Sequence, residues 1–261
     1  IFTGRKCTIA PMSARLQSGD PLLLRLLAVF TCILLVAAML LLESCSPKPQ
    51  SSGETIFSPS MADALSTRSH IPSPEVQACS SCHPAQFNAW MKSQHATANR
   101  ILEDSVDFPR FEARQPVGHG ALSTLPALET NRPALVESRG DQDPVVYEPV
   151  AVIGVDPLEQ YLVPAAGGRL QASNISYDVR SNEWFNSQER MYEPHEWQFW
   201  QNRGMTWNSQ CAFCHMTGFK KNYDPASDTY DSDWHAMGIQ CVQCHGDVTA
   251  HMEDVTIPPG G

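Results

Sequence analysis

The chain repeats one five-residue pattern three times: CSSCH at 79–83, CAFCH at 211–215 and CVQCH at 241–245. This repeat constrains the fold more than any other feature, because it takes up six of the nine cysteines at one spacing and places a histidine directly after each pair. Three chemistries use paired cysteines. A zinc centre takes four ligands, commonly two pairs per ion, so three pairs leave one without a partner. A disulfide framework has no use for a histidine after every pair. Covalent attachment of haem c requires both features. On a helical turn, residues at i, i+3 and i+4 share a face, so two thiols can bond the vinyl groups of one porphyrin while the imidazole reaches its iron. The expectation is three covalently attached haem c groups, held by Cys79, Cys82 and His83, by Cys211, Cys214 and His215, and by Cys241, Cys244 and His245.

Covalent haem also bears on the fold. A porphyrin offers a large apolar surface that can stand in for a hydrophobic core, and twenty prolines and fifteen glycines suggest a loop-rich body that would need one. The expected fold is mainly α, a loop-rich multihaem cytochrome c core with a small inserted antiparallel β-sheet. Helix is expected after the first motif, where Pro84 suits a helix start and Phe87, Trp90, Met91 and His95 follow at helical spacing. Residues 100–135 are broken by proline, and "EARQPVGHGALSTLP" reads as loop. From 135 to 185, β-branched and aromatic residues surround turn signals, with "AAGG" at 165–168 a natural hairpin connection. Trp184, Trp197, Trp200 and Trp207 gather before the second motif, either lining a cofactor or forming an ordinary aromatic core. The aspartates of "KKNYDPASDTYDSDW" lack the calcium-loop spacing and read as a solvated turn.

Upstream, residues 22–42 are apolar except for Arg25, with Arg15 completing a basic approach, as in an export signal or a membrane anchor. Cys45 follows in "LESCS", a variant lipobox. The reading is a leader or anchor at 1–44, a Ser/Pro-rich tether at 45–72 holding a solvated His70, and a haem domain at 73–261, with Ile1 and the closing "TIPPGG" suggesting a piece of a longer chain. Export to the periplasm is the expected localisation, with tethering through Cys45 lipid or the 22–42 segment. A net charge of −10 argues against nucleic acid and leaves redox proteins as partners.

Six-coordinate irons would need distal ligands too. His95 lies twelve residues after His83, which on a straight helix is about 18 Å of rise, so unless the helix breaks it could not wrap round its own porphyrin and would serve another haem. His251, six residues after His245, faces the same difficulty. His119 and His195 are weaker ligand candidates.

The runs "CSSCHPAQFNAWMKSQHATA", "VDPLEQYLVPAAGGRLQ", "WNSQCAFCHMTGFKKNYDPASDTY" and "GIQCVQCHGDVTAH" resemble exported multihaem cytochromes c of the cytochrome c-554/pentahaem nitrite reductase superfamily, in a branch often fused to tetratricopeptide repeats. The resemblance covers about residues 75–252. It implies a mostly helical haem core with His/His ligation, in which His95 and His251 match frequent distal positions. The branch often carries a histidine near the place of Phe199, and His195 is offset from it. No CxxCK motif is present, so nitrite reduction is not supported. The expected function is a periplasmic electron carrier, with a quinol dehydrogenase, other cytochromes or a terminal reductase as partners and no catalytic side chains of its own. The alternative is a reductase or oxidase of a small nitrogen or sulfur compound at one open-site haem.

Overall fold

The structure is a computed structural model that describes residues 65, 67, 71–113, 115–188, 190 and 193–258. The apolar segment 22–42, Cys45 and His70 lie outside the described residues. So does nearly all of the tether. Those described belong to one compact unit, Thr55–Gly261.

Two short helices, α1 (Pro74–Cys79) and α2 (Pro84–Met91), lead into strand β1 (Asn99–Ile101), helix α3 (Asp104–Asp107) and a 3₁₀ turn at Phe108–Ala113. Eight strands then run without an intervening helix: β2 (Val117–His119), β3 (Leu122–Glu129), β4 (Arg132–Arg139), β5 (Val145–Tyr147), β6 (Ala151–Ile153), β7 (Leu158–Ala165), β8 (Arg169–Asp178) and β9 (Glu183–Asn186). Beyond a 3₁₀ turn at Arg203–Met205 come α4 (Trp207–Gln210), α5 (Ala212–His215) and four two-residue strands, β10 (Met216–Thr217), β11 (Tyr223–Asp224), β12 (Thr229–Tyr230) and β13 (Ala236–Met237). Helices α6 (Cys241–His245) and α7 (Thr249–Glu253) close the described chain.

The expectation of a mainly α fold is wrong. Among the described residues the strands make four antiparallel sheets, two of them large, ordered β1-β6-β7-β8-β9 and β2-β3-β4-β5, while the longest helix has eight residues. The physical reason lies in the side-chain alternation of the central strands. Along β6, Ala151 and Ile153 face one apolar cluster and Val152 the other. Along β7, Leu162 faces the first, and Tyr161 and Val163 the second. Leu170 and Ala172 of β8 continue the first face, and Ile175 and Tyr177 the second. The five-stranded sheet is therefore buried on both sides. One side packs on Trp207, Ala212, Met216, Trp234 and Met237, around the second motif. The other packs with Leu122 and Leu135 of the four-stranded sheet and with Phe111, Phe199 and Trp200. These side chains pack against one another to form the core.

The β-region also begins earlier than residue 135. β3 and β4 pair in full register from Leu122↔Arg139 to Glu129↔Arg132. Their turn, Thr130-Asn131, has both φ angles positive, the geometry of a two-residue hairpin that matches strand twist. The hairpin expected at "AAGG" is present, with Ala165 paired to Arg169 and Gly167 and Gly168 at φ +70° and +69°.

A buried ion cluster fixes the start of the five-stranded sheet. Arg100 on β1 bonds both carboxylate oxygens of Asp107 at 2.7 and 3.0 Å and reaches Glu159 of β7 at 3.0 Å. Arg110 pairs with both acids, and the Tyr161 hydroxyl donates to Asp107 at 3.1 Å. Burial pushes the Asp107 carboxyl upward, but the bonds and charge of Arg100 outweigh it and hold the carboxyl below its usual range.

Candidate haem-binding site

Each motif forms the helical turn that its spacing requires. In the first, the His83 N–H donates to the Cys79 carbonyl at 2.9 Å; in the second, His215 N–H donates to Cys211 at 3.2 Å; the third is α6 itself. The six cysteines are free thiols, with Cys82, Cys214 and Cys244 exposed. Burial, with Cys214 adding to it, pushes the Cys211 thiol up to about 11. Burial and the nearby Cys79 raise Cys241. Among the described residues no cluster of three or more His, Cys, Asp and Glu side chains forms a cage for a metal ion.

Motifs one and three share a cleft of about 690 Å³. Cys79, Cys82, His83, Cys241, Cys244 and His245 line it together with His95 and His251. Its apolar walls come from Phe87, Trp90 and Ile239, and from Val248, Met252 and Val255 at the far end. Val255 is 70% and Met252 51% exposed, and Phe213, inside the second motif, is 75% exposed. Large apolar side chains beside thiols and imidazoles are what a porphyrin face would cover, so the residues fit covalent haem.

His95 does not lie on a helix that continues from His83. Helix α2 ends at Met91, and His95 follows in a turn. The Ser93 hydroxyl donates to the Trp90 carbonyl at 2.6 Å and the Ser93 N–H to the same oxygen at 2.8 Å, a local alternative to the next helical bond. The straight-helix premise is therefore corrected: the chain turns and brings His95 into the cleft. Its carbonyl accepts from Ile239 N–H at 2.8 Å, two residues before Cys241, and the Trp90 indole donates to the Ile239 carbonyl at 2.8 Å. These bonds set His95 beside the third motif.

His251 reaches the cleft because Gly246, at φ +68°, reverses the chain after α6, so that α7 folds back. The His251 and His83 rings lie 6.1 Å apart, centroid to centroid, with planes 26° apart. His251 Nδ1 bonds the Ile257 carbonyl at 2.7 Å, and His215 Nδ1 bonds the Ala98 carbonyl at 2.9 Å. A carbonyl only accepts, so Nδ1 carries a proton in both rings, and Nε2 is the nitrogen that could ligate a metal.

The second motif does not line this cleft. It packs against the five-stranded sheet, with Ala212 buried in that core. His119 and His195 also lie outside the cleft lining. His119, on β2, is 3% exposed and neither ring nitrogen has a hydrogen-bond partner among the described residues. Burial and the neighbouring Arg139 lower its pKa. His195 is exposed on the segment before Trp197. Of the clustered tryptophans, Trp200 and Trp207 are core residues, while Trp197 is exposed.

Sequence reasoning missed the hub that ties the motifs together. Gln240, immediately before Cys241, is 1% exposed. Its Oε1 accepts from the N–H of Ser73, the N-cap of α1, at 2.9 Å, and its Nε2 donates to the Met237 carbonyl at 3.0 Å. Its own N–H donates to Thr217 Oγ1 at 2.9 Å, two residues past His215. One side chain and its backbone thus join segments belonging to all three motifs. A buried glutamine carries no sequence signature of its own; its position directly ahead of a CxxCH pair was the available hint.

Residues 78–114 and 177–246 match the family described as cytochrome c554 and c-prime. The two segments contain the three motifs and His95, and the residues between them, 115–176, hold β2 to β7 and most of β8. Among solved structures, the outer cell wall cytochrome OcwA is similar, at 18% identity and a TM-score of 0.40 over 69% of this chain. The chain spans 32% of that protein's length. No curated protein matches the chain. The three motifs and the two matched segments together support a c-type cytochrome, whose chemistry is electron transfer.

Proposed function

We propose that the chain is an exported, periplasmic cytochrome that carries three covalently attached haem c groups and passes electrons between redox proteins. A bound haem supplies one-electron exchange between ferric and ferrous iron. The protein supplies attachment, axial ligands and spacing. Cys79 with Cys82, Cys211 with Cys214, and Cys241 with Cys244 are the attachment thiols, and His83, His215 and His245 the proximal ligands. His251 is the distal partner of His83, and His95 that of His245, so that motifs one and three exchange ligands.

The observation that carries this reading is the shared cleft. It gathers two motifs together with His95 and His251, with the His83 and His251 rings 6.1 Å apart. A haem attached at the first motif would be held by His83 together with His251. Export, and tethering by Cys45 lipid or by the 22–42 segment, rest on the leader sequence. The motif runs favour the wider c-554/pentahaem nitrite reductase grouping, and a quinol dehydrogenase, another cytochrome or a terminal reductase fits as partner.

One observation favours a second reading. The second motif stands apart from the cleft that collects His95 and His251. A haem there without a distal histidine would leave an open iron site, the requirement for reducing or oxidising a small nitrogen or sulfur compound. The experiment is the mass of the purified holoprotein with its ferric optical and EPR spectra. A gain of three haems is expected, and any other number overturns the attachment assignment. An all-low-spin set that binds neither cyanide nor nitric oxide selects the carrier; one high-spin, ligand-binding haem selects the second reading. In His251→Ala, high-spin character is expected at haem 1; its appearance at haem 3 would overturn the ligand exchange.

A further inference from the structure

We propose that Asn99 is the positioning residue for the proximal ligand of the second motif, and that through it the β-sheet sets the reduction potential of that haem. The inference rests on reading Cys211, Cys214 and His215 as a haem c site. The Ala98 carbonyl, at the entrance to β1, accepts two hydrogen bonds: from His215 Nδ1 at 2.9 Å and from the Gly154 N–H at 3.0 Å. Among the described residues, the rings of His83 and His245 have no such bond, so the second motif alone has its proximal imidazole fastened to the sheet. A donor bond from Nδ1 to a carbonyl makes the imidazole a richer ligand and favours ferric iron.

What aims the carbonyl is the next residue. Asn99 is fully buried, and its side chain makes two bonds in opposite directions. Its Oδ1 accepts from the Trp207 indole at 2.8 Å, and its Nδ2 donates to the Val152 carbonyl at 3.2 Å. Trp207 starts the helical turn whose end is the motif, and its own carbonyl accepts the Cys211 N–H at 3.0 Å. The amide thus clamps the base of the haem-bearing turn to β1 and β6, one residue from the carbonyl that holds the imidazole. The second bond of that carbonyl depends on Gly154, at φ +84°, where a β-carbon would lie 2.5 Å from the Leu158 carbonyl oxygen. Only glycine fits at that position. The chain is Trp207 to Asn99, Asn99 to the Ala98 peptide, and Ala98 to His215. Asn99 itself touches neither the thiols nor the iron ligand.

The test is a redox titration of the holoprotein followed by EPR and visible absorption, in wild type, Asn99→Ala and Trp207→Phe. The haem 2 component is assigned by its absence from a Cys211→Ala/Cys214→Ala variant. The two single variants break the same bond from opposite ends, so if one fails to mature the other still decides. The expected result is an upward shift of the haem 2 midpoint alone, in both, with the double variant shifting no further than the larger single. A shift of all three components together, as general loosening would give, overturns the proposal, as does no shift. A wild type whose titration matches that of the Cys211→Ala/Cys214→Ala variant refutes instead the assignment of haem to the second motif.

Discussion

Replacing Gln240 with leucine keeps most of the side-chain volume and removes both polar atoms. Two partners then lose their bonds in a buried site: the Ser73 N–H, 2.9 Å from Oε1, and the Met237 carbonyl, 3.0 Å from Nε2. Each buried group left unpaired costs about 1–3 kcal/mol. The leucine regains part of this by burying its methyl groups, so a net loss of about 3 kcal/mol is expected. For a domain of this size that is a fall in Tm of about 6–12 °C. The control is Gln243→Leu. Gln243 is exposed and makes one side-chain bond, accepting from the Gly218 N–H at 2.9 Å, and its loss should cost under about 1 kcal/mol. Thermal unfolding of the holoproteins is followed by far-ultraviolet circular dichroism, and the Soret dichroism at 20 °C is recorded as well. Because Gln240 joins segments belonging to all three motifs, its loss should also change the Soret couplet, which reads the mutual orientation of neighbouring haems. If Gln240→Leu costs no more than Gln243→Leu and leaves the Soret spectrum unchanged, the hub does not hold the motifs in place.

Three further outcomes are expected. His95→Ala should turn the haem of the third motif high-spin by EPR and leave haem 1 low-spin, because the His95 carbonyl is fastened to Ile239. Asp107→Ala leaves the buried Arg100 guanidinium with the Ile101 carbonyl and a Glu159 that it shares with Arg110, so denaturant unfolding should report a loss of about 3–5 kcal/mol. His119→Leu concerns pH. The folded protein holds His119 below its ordinary value of 6.5, so the unfolded chain binds the proton first, and wild-type stability falls as pH drops from 6.5 toward the lowered value. The leucine variant should lose less stability across that interval in urea melts at stepped pH, and equal slopes would refute the linkage.

The helical turns at the three motifs were legible because a CxxCH repeat fixes residue identity and spacing at once, and each motif folds as the turn that spacing predicts. The start of α2 was legible from Pro84, but its end was not. That end depends on Ser93 turning its hydroxyl back to Trp90, a choice that exposed helical serines often do not make. The β3–β4 hairpin was obscured by Pro126 and Pro133, which argue against interior strands. Its alternation, from Leu122 through Thr124 inward, and the Thr130-Asn131 turn were the better signals. The shared cleft was half legible. Sequence spacing pointed His251 away from its own motif. The Ile257 and Ala98 carbonyls that orient two imidazoles are backbone groups, and a carbonyl leaves no mark in a list of side chains.

The sheet packed on both faces has a consequence for biogenesis. Its two apolar layers pack on other side chains, whereas the cleft around motifs one and three leaves Val255 and Met252 exposed, an apolar surface that a haem attached there would cover. On the proposed attachment, the chain before maturation would be a formed β-body carrying unfinished haem-binding arms. The attachment machinery would then meet exposed thiols at Cys82, Cys214 and Cys244. Starving the host of haem should yield a precursor that keeps its strand signal and its protection of the β7 and β8 amides while the arms exchange freely.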